Sequence, residues 1–252
     1  MNSSSFSAYT CSADDLKHYQ EHGYVVLRTV FSSTLAQDIK SDIDHIMSVI
    51  GLGHTKLRQT QQYLKGSTLD AYINSQLLKS IASQLMGGEA TMYLPFSAVK
   101  SGGGGGKFHF HQDNQYTTFE GPGINIWAPF VTTSEKNGAL QVVPGSHKMG
   151  DLQAVNAGEG DHHLTLDFEP EDFQVLDMEP GDVVAFDRLT VHGSGPNDTN
   201  DNRVAYAVQF HRNDVIAEVN GQRVKLLDHP RWTDIHGVTQ IQADEVSGRD
   251  GH

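Results

Sequence analysis

The sequence predicts a mainly β fold of the sandwich or jelly-roll class, with helices in its N-terminal part. Up to residue 88, apolar residues recur at helical spacing. Beyond it, short runs rich in Val, Ile, Phe and Tyr are separated by Gly, Pro, Asn and Asp. We expect one domain over 1–252, with a helical part at about 12–88, a jelly-roll core at about 89–215 and a C-terminal extension at 216–252.

Capping hydroxyls, apolar stripes and terminal glycines predict three helices. They are expected from Ser12 to Gly23, from Ser33 or Thr34 to Gly51, and from Asn74 to Met86. Strands are expected at the β-rich runs, namely 24–27, 91–99, 107–111, 124–131, 140–143, 173–176, 183–186 and 203–211.

Composition argues against several classes of partner. The formal net charge is −13, so we expect no nucleic acid and no anionic membrane surface as a partner. No apolar run approaches the ~20 residues that a membrane-spanning helix needs. Cys11 is the only cysteine and the polar N-terminus resembles no secretory signal, which together predict a cytoplasmic protein. The oligomeric state is left open.

The glycine run at 102–106 precedes Lys107 and invites comparison with a phosphate-binding loop. That motif would need glycine where Ser101 stands and a hydroxyl residue where Phe108 stands. We therefore expect a flexible loop between two strands, and its position suggests the further hypothesis of a mobile lid.

Two ligand-type residues, His111 and Asp113, are two positions apart on a predicted strand and so point to the same side. His109 shares their parity and is a competing candidate. His192 follows 81 residues after His111, again near a predicted strand. Two imidazoles and one carboxylate can cap one face of Fe(II) and leave the other face open, although the same set also suits zinc.

Four segments in register resemble the phytanoyl-CoA dioxygenase family of iron- and 2-oxoglutarate-dependent oxygenases. They are the opening helix and strand at 15–27, His111-Gln112-Asp113, the stretch from Asn137 to His147, and the block that runs from Gly181 through His192 to Arg203. The resemblance covers most of the chain. It implies a double-stranded β-helix core (jelly roll, cupin-like) flanked by α-helices.

The same resemblance implies roles for six residues. His111, Asp113 and His192 would bind Fe(II) and form the catalytic centre. Arg203 would bind the far carboxylate of 2-oxoglutarate through its planar fork, with Ser194 and Lys100 nearby. The alternatives from the residues alone are a surface salt bridge for Arg203 and a solvated strand end for Lys100.

The implied reaction consumes 2-oxoglutarate and O2, yields succinate and CO2, and hydroxylates a small molecule. A carboxylate at Asp113 leaves no room for a halide at the metal, which favours hydroxylation, desaturation or ring closure over halogenation. Polar candidates for the substrate pocket outnumber bulky apolar ones, so we expect a small polar substrate. The candidates are Asn114, Tyr116, Asn125, Trp127 and His211.

Two other classes of function stay open at this point. One is a cupin-type zinc hydrolase or isomerase built on the same three ligands. The other is a non-catalytic sensor that binds metal and 2-oxoglutarate. Two further histidine motifs are not proposed as ligands: His147 is interpreted as part of a structural turn, and His162-His163 as solvated surface.

Overall fold

The computed structural model describes residues 6–52, 56–117, 119–156, 164–228 and 237–243. In these ranges the elements follow in the order α1 (Ala13–His22), β1 (Tyr24–Leu27), α2 (Ser33–Ile50), β2 (Leu57–Thr60), α3 (Thr68–Ile73), α4 (Gln76–Leu85), β3 (Ala90–Lys100), β4 (Phe108–His111), β5 (Gly123–Pro129), β6 (Leu140–Val142), β7 (Ala154–Asn156), β8 (Leu164–Leu166), β9 (Gln174–Val175), β10 (Val183–Asp187), β11 (His192–Ser194), β12 (Arg203–Arg212), β13 (Ile216–Val219) and β14 (Gln222–Lys225). A 3₁₀ turn covers Asp113–Tyr116.

Two antiparallel sheets form the jelly-roll core, as the sequence predicts. The larger sheet has the order β1-β10-β5-β12-β3-β2, and the smaller one has the order β4-β11-β6-β9. Side chains from both sheets pack together between them, including Trp127 and Phe186 from the larger sheet and Leu140 and Val142 from the smaller. The candidate site residues Asn125 and His192 lie on this inner side, beside Trp127 and Phe186.

Alternation along the strands of the larger sheet separates its two faces. On β5, Ile124 and Ile126 belong to the cluster that packs against the helices, whereas Trp127 belongs to the cluster between the sheets. Helices α2 to α4 bury Ile39, Ile43 and other apolar side chains on the outer face. The helices therefore stabilise the sheet from outside, and the inner face is left for polar site residues such as Asn125.

Local capping chemistry fixes the helix ends. The first helix agrees with the prediction: Ser12 and Asp15 form a capping box, and Gly23 ends the helix in the left-handed region with φ 79°. The cap of α2 is Ser32, not Ser33 or Thr34, because the Ser32 hydroxyl accepts the Leu35 N–H at 3.3 Å.

The third predicted helix, from Asn74 to Met86, is α4 in the structure, and the short helix α3 before it was not predicted. Helix α3 ends at Asn74, whose side-chain amide donates back to Asp70, and Ser75 caps α4 by accepting the Leu78 N–H. Asn and Ser compete well for backbone groups, which is why they interrupt the apolar stripe at this point.

Several short strands were not predicted from the sequence, namely β2, β7, β8, β11, β13 and β14. Strand β2 reads Leu-Arg-Gln-Thr and gains its pairing from β3 at the edge of the larger sheet. The hairpin of β13 and β14 lies in the segment expected to be a C-terminal extension. Short polar strands carry too little period-two patterning to be recognised without their partners.

The glycine run is held by the segment that precedes β12. Gly103 and Gly104 donate to the carbonyl groups of Thr199 and Asn197 at 2.7 and 2.8 Å, and Gly102 donates to the Asn202 side chain at 3.1 Å. In this structure the loop is therefore anchored rather than free.

Across the described parts of the chain, no helix combines the length and the apolar character needed to cross a membrane.

Candidate metal centre and co-substrate pocket

Antiparallel pairing of β4 with β11 brings the two predicted histidine ligands together. His192 lies directly opposite His111, and their ring centroids are 4.3 Å apart. Asp113 follows at the start of the 3₁₀ turn, with its Oδ1 atom 3.7 Å from His192 Nε2. One ligand atom from each of the three residues lies within 4.8 Å of the others. The three side chains can therefore hold one metal ion.

Backbone carbonyls orient both imidazole rings. His111 Nδ1 lies 2.8 Å from the His109 carbonyl oxygen, and His192 Nδ1 lies 2.9 Å from the Thr190 carbonyl oxygen. A proton on each Nδ1 satisfies these contacts and leaves each Nε2 lone pair for a metal. The competing candidate His109 thus contributes its carbonyl group, and its side chain is not part of the three-residue cluster.

The donor set fits Fe(II). Two neutral imidazoles and one carboxylate are the ligands that non-haem Fe(II) takes on one face, with the opposite positions open. The Asn125 side-chain amide donates to Asp113 Oδ2 at 3.1 Å, which orients the carboxylate in the way that outer hydrogen bonds orient metal ligands.

Arg203 is buried on β12, with 2% of its surface exposed. Its guanidinium donates to the Ala98 carbonyl at 3.1 Å and lies 5.5 Å from the centre of the Trp127 ring, while its Nε atom has no partner among the described residues. Burial lowers its pKa to about 9. A buried guanidinium with so few acceptors calls for an anionic ligand, and a carboxylate of 2-oxoglutarate fits that need.

Lys100 lies opposite Arg203 on the neighbouring strand β3 and is fully buried. Its ammonium donates to the Ser194 hydroxyl at 2.7 Å, to the Ser194 carbonyl at 3.2 Å and to the Gly195 carbonyl. The structure thus brings Lys100 next to both Ser194 and Arg203. The surface alternatives for Lys100 and Arg203 are wrong, because both side chains are buried.

Two of the predicted substrate residues contact other site residues. Asn125 bonds to the metal-ligand candidate Asp113, and Trp127 packs its ring beside the Arg203 guanidinium. Both face the inside of the barrel, which agrees with their shared parity on β5. Trp127 was predicted to line the substrate pocket, but in the structure it lies beside Arg203, the candidate co-substrate residue.

The other three predicted substrate residues surround the metal centre at a greater distance. Asn114 is buried and donates to Asp151 Oδ1 at 2.5 Å. The ring of Tyr116 meets His111 edge-on at 5.9 Å. His211 is buried near the end of β12. Of the two other histidine motifs, His147 contacts the Gln20 carbonyl at the end of α1, and His162-His163 is outside the described residues.

A family model described as phytanoyl-CoA dioxygenase (PhyH) matches residues 19–205 of this chain. The chain belongs to the phytanoyl-CoA dioxygenase family. It is accordingly a 2-oxoglutarate-dependent dioxygenase that uses Fe(II) and O2. This assignment decides for the oxygenase and against the zinc hydrolase or isomerase and the non-catalytic sensor.

Individual relatives agree with the family. The chain is 25% identical to a probable phytanoyl-CoA dioxygenase of Caenorhabditis elegans, over 83% of this chain and 78% of that protein. It is also 25% identical to a probable alpha-ketoglutarate-dependent hypophosphite dioxygenase of Stutzerimonas stutzeri, over 73% of each chain. Among solved structures, EvdO2 from Micromonospora carbonacea var. aurantiaca complexed with 2-oxoglutarate has the same fold, with a TM-score of 0.72, 21% identity and coverage of 90% of this chain and 98% of that one.

Sequence reasoning missed a role for Gln112 in this member of the phytanoyl-CoA dioxygenase family. Gln112 stands between the ligand candidates His111 and Asp113 and is fully buried. Its amide donates to the carbonyls of Gly150 at 2.9 Å and Leu189 at 2.7 Å, and its oxygen accepts the Leu152 N–H at 2.8 Å. Gln112 therefore joins the strand of the first two ligands to the turn that precedes His192.

Replacing Gln112 with leucine should destabilise the fold by about 2 to 4 kcal/mol, because it leaves buried backbone groups without partners. It should also weaken Fe(II) binding by about 10-fold or more, as loss of outer hydrogen bonds at metal sites does. Urea unfolding and anaerobic iron titration measure the two effects. Gln37→Leu, on the exposed side of α2, is the matched control. Equal stability of the two variants would contradict the role.

Asn197 is a second missed residue. It belongs to a segment that resembles the family, but no role was predicted for it. Its side chain is fully buried and donates to the carbonyls of Lys100, Ser101 and Asp201 at 3.3, 3.2 and 2.8 Å. It ties the end of β3 to the turn before Arg203 and so helps to place both Lys100 and Arg203.

Lys100 makes the stability of the ligand-free protein depend on pH. Burial, and after it the charge of Arg203, lowers the pKa of Lys100 from 10.5 to about 6. Between these two values the unfolded chain binds more protons at this site than the folded protein does. Stability should therefore rise with pH over this window.

Lys100→Met should flatten that slope and raise the unfolding temperature of the metal-free protein most near pH 6. Thermal unfolding measured from pH 6 to pH 10 tests this. Lys17→Met, whose side chain is 71% exposed on α1, controls for the loss of one charge. Parallel curves for wild type and Lys100→Met would contradict the lowered pKa.

Proposed function

We propose that this protein is a hydroxylase that acts on an unactivated C–H bond of a small, polar metabolite and releases succinate and CO2. His111, Asp113 and His192 would hold Fe(II), and Arg203 with Lys100 and Ser194 would hold 2-oxoglutarate. The observation that carries the proposal is that the three candidate ligand atoms lie within 4.8 Å of one another, while the buried basic side chains of Lys100 and Arg203 stand at paired positions on β3 and β12.

Bound iron, with 2-oxoglutarate and O2, supplies the oxidising chemistry that amino-acid side chains lack. The protein supplies position and charge. The carbonyls of His109 and Thr190 hold the two imidazoles in the tautomer that can bind metal. Asp113 supplies the single carboxylate, and a carboxylate there favours hydroxylation over halogenation.

Arg203 and Lys100 would neutralise and orient the co-substrate. Both side chains are buried, so water competes little for the carboxylate that they bind. Trp127 covers the Arg203 guanidinium on one side and limits its movement. The Ser194 hydroxyl, held by Lys100, is a further hydrogen-bond donor in the same pocket.

A small polar substrate is supported by unpaired amide oxygens on two residues next to Asp113, one in sequence and one through a hydrogen bond. Among the described residues, the side-chain oxygens of Asn114 and Asn125 are buried without a hydrogen-bond partner. Tyr116 and His211 would complete this substrate pocket with Asn114 and Asn125. Buried acceptors without partners are costly, so a substrate that donates hydrogen bonds would bind there favourably.

We also propose a cytoplasmic location. Cys11 is a buried free thiol, which suits a reducing compartment.

The test is a metabolite panel with Fe(II), ascorbate and 2-oxoglutarate, with succinate release as the first measurement. Mass spectrometry then identifies the product: a gain of one oxygen atom supports hydroxylation, and a loss of two hydrogen atoms indicates desaturation or ring closure instead. No succinate from the iron-loaded protein under any condition would overturn the proposal.

A further inference from the structure

A second buried arginine lies near the metal centre. Arg188 is in the turn between β10 and β11, four residues before His192, and is 7% exposed. Its guanidinium donates to the Gly121 carbonyl and lies 5.6 Å from the centre of the Phe119 ring. Neither contact neutralises its charge. The family resemblance and the proposed co-substrate pocket assign it no role.

Three carboxylates act on Arg188 electrostatically, but among the described residues none forms an ion pair with it. Each is held by another donor. Asp187 accepts from the Leu189 N–H and the Tyr19 hydroxyl, Asp151 accepts from Asn114, and Asp113 accepts from Asn125. The guanidinium therefore keeps donor capacity that no protein carboxylate uses.

The position of Arg188 separates it from the co-substrate pocket. Arg188 lies close enough to His211 for its charge to affect that histidine: the pKa of His211 is lowered first by burial and also by the charge of Arg188. His211 and Arg203 are eight residues apart on β12, which corresponds to about 26 Å of strand. The two arginines thus serve opposite ends of this strand, and Arg188 lies at the end where the proposed substrate residues are.

Gly123 provides the space that the guanidinium occupies. A Cβ atom at this position would lie 2.9 to 3.0 Å from the Nε, Cδ and Cζ atoms of Arg188. His211 is the strand partner of Gly123, so the guanidinium lies against the backbone at the same level as His211. His211 Nδ1 contacts the Arg212 carbonyl, which leaves Nε2 for a ligand.

We propose that Arg188, with His211 beside it, binds an anionic group of the primary substrate, either a carboxylate or a phosphoryl group. This inference rests on the proposed function. It narrows the substrate from a polar metabolite to an anionic one, bound by a planar fork that can donate two parallel hydrogen bonds. In a chain with a net charge of −13, a buried guanidinium that forms no direct ion pair among the described residues offers an anion a fork that the outer surface does not.

The first test uses wild-type protein loaded with Fe(II) and 2-oxoglutarate. Small hydroxy and amino acids are compared with their neutral amides, and phosphate monoesters with the parent alcohols, by succinate release. We expect either the carboxylic acids or the phosphate monoesters to stimulate succinate release, with KM about 10- to 100-fold lower than for their neutral counterparts. The class of compound that stimulates turnover identifies the anionic group as a carboxylate or a phosphoryl group.

The second test uses Arg188→Gln and Arg188→Lys, with Lys17→Gln on exposed α1 as the control for charge. Arg188→Gln should raise KM for the stimulating acid by about 10- to 100-fold and change KM for its neutral counterpart little. Arg188→Lys should fall between, because it keeps the charge but loses the fork. Equal changes for acid and neutral compound would show a structural role and overturn the inference. If Arg188→Gln does not fold, the wild-type comparison decides.

The outcomes separate this inference from the proposed function. No 2-oxoglutarate turnover under any condition overturns both. Turnover that neutral compounds stimulate as well as acids do, or that no acid stimulates, overturns only the anionic substrate. A preference for acids that Arg188→Gln abolishes supports both.

Discussion

Asp113→Ala should lower 2-oxoglutarate-dependent succinate formation by more than about 100-fold, because loss of a metal ligand exceeds the 10- to 100-fold effects of losing its outer hydrogen-bond partners. The carboxylate lies 3.7 Å from His192 Nε2 and is the only charged member of the three-residue cluster. Without it, two neutral imidazoles must hold the ion. Iron affinity, measured by anaerobic titration, should fall together with activity.

The control for this prediction is His109→Ala. His109 shares the parity of the two ligands, but in the structure its backbone carbonyl, not its side chain, takes part in the site. The variant should keep its iron affinity within a few-fold of wild type. Activity of Asp113→Ala near the wild-type level, or loss of iron in His109→Ala alone, would refute the ligand assignment.

Arg203→Met is expected to weaken 2-oxoglutarate binding by about 100-fold or more, since removal of one partner of a buried charged pair costs several kcal/mol. The same variant should unfold at the same or a higher temperature without ligand. Arg203 has a single internal acceptor, the Ala98 carbonyl, and its Nε atom lacks a partner among the described residues, so its burial costs free energy until an anion binds.

Anaerobic calorimetry with 2-oxoglutarate and thermal unfolding without it measure the two effects separately. Arg203→Lys keeps a positive charge but loses the planar fork, and its affinity should be intermediate. An unchanged dissociation constant for 2-oxoglutarate in Arg203→Met would contradict the co-substrate role of Arg203. A large loss of stability in the ligand-free protein would indicate that Arg203 mainly supports the fold.

Local patterns in the sequence were enough to predict part of the fold. The hydroxyl of Ser12 and the glycine at position 23 set the limits of α1 because capping depends on residues within one turn. The same reasoning chose Ser33 or Thr34 where the structure has Ser32, and it missed the short helix α3. Several hydroxyl residues were available, and the packing of the apolar stripe decides which one caps the helix.

Long-range pairing limited what could be predicted of the site. The spacing of His111 and Asp113 indicates a shared face, but the position of His192 opposite His111 depends on strand register, which neither segment encodes alone. The resemblance to the family supplied that link. It said nothing of Gln112 or Arg188, because their importance lies in contacts with Leu189 and Gly121 that only folding creates.

The pairing of β3 with β12 has a consequence for the synthesis of the protein. Lys100 faces Arg203 across 103 residues of chain, and His111 faces His192 across 81. Contacts of such sequence separation form slowly and late. A nascent polypeptide still on the ribosome cannot assemble this centre until β11 and β12 have emerged. We therefore expect iron to be loaded only after β11 and β12 have left the ribosome, which keeps a reactive metal away from a chain that cannot yet hold it.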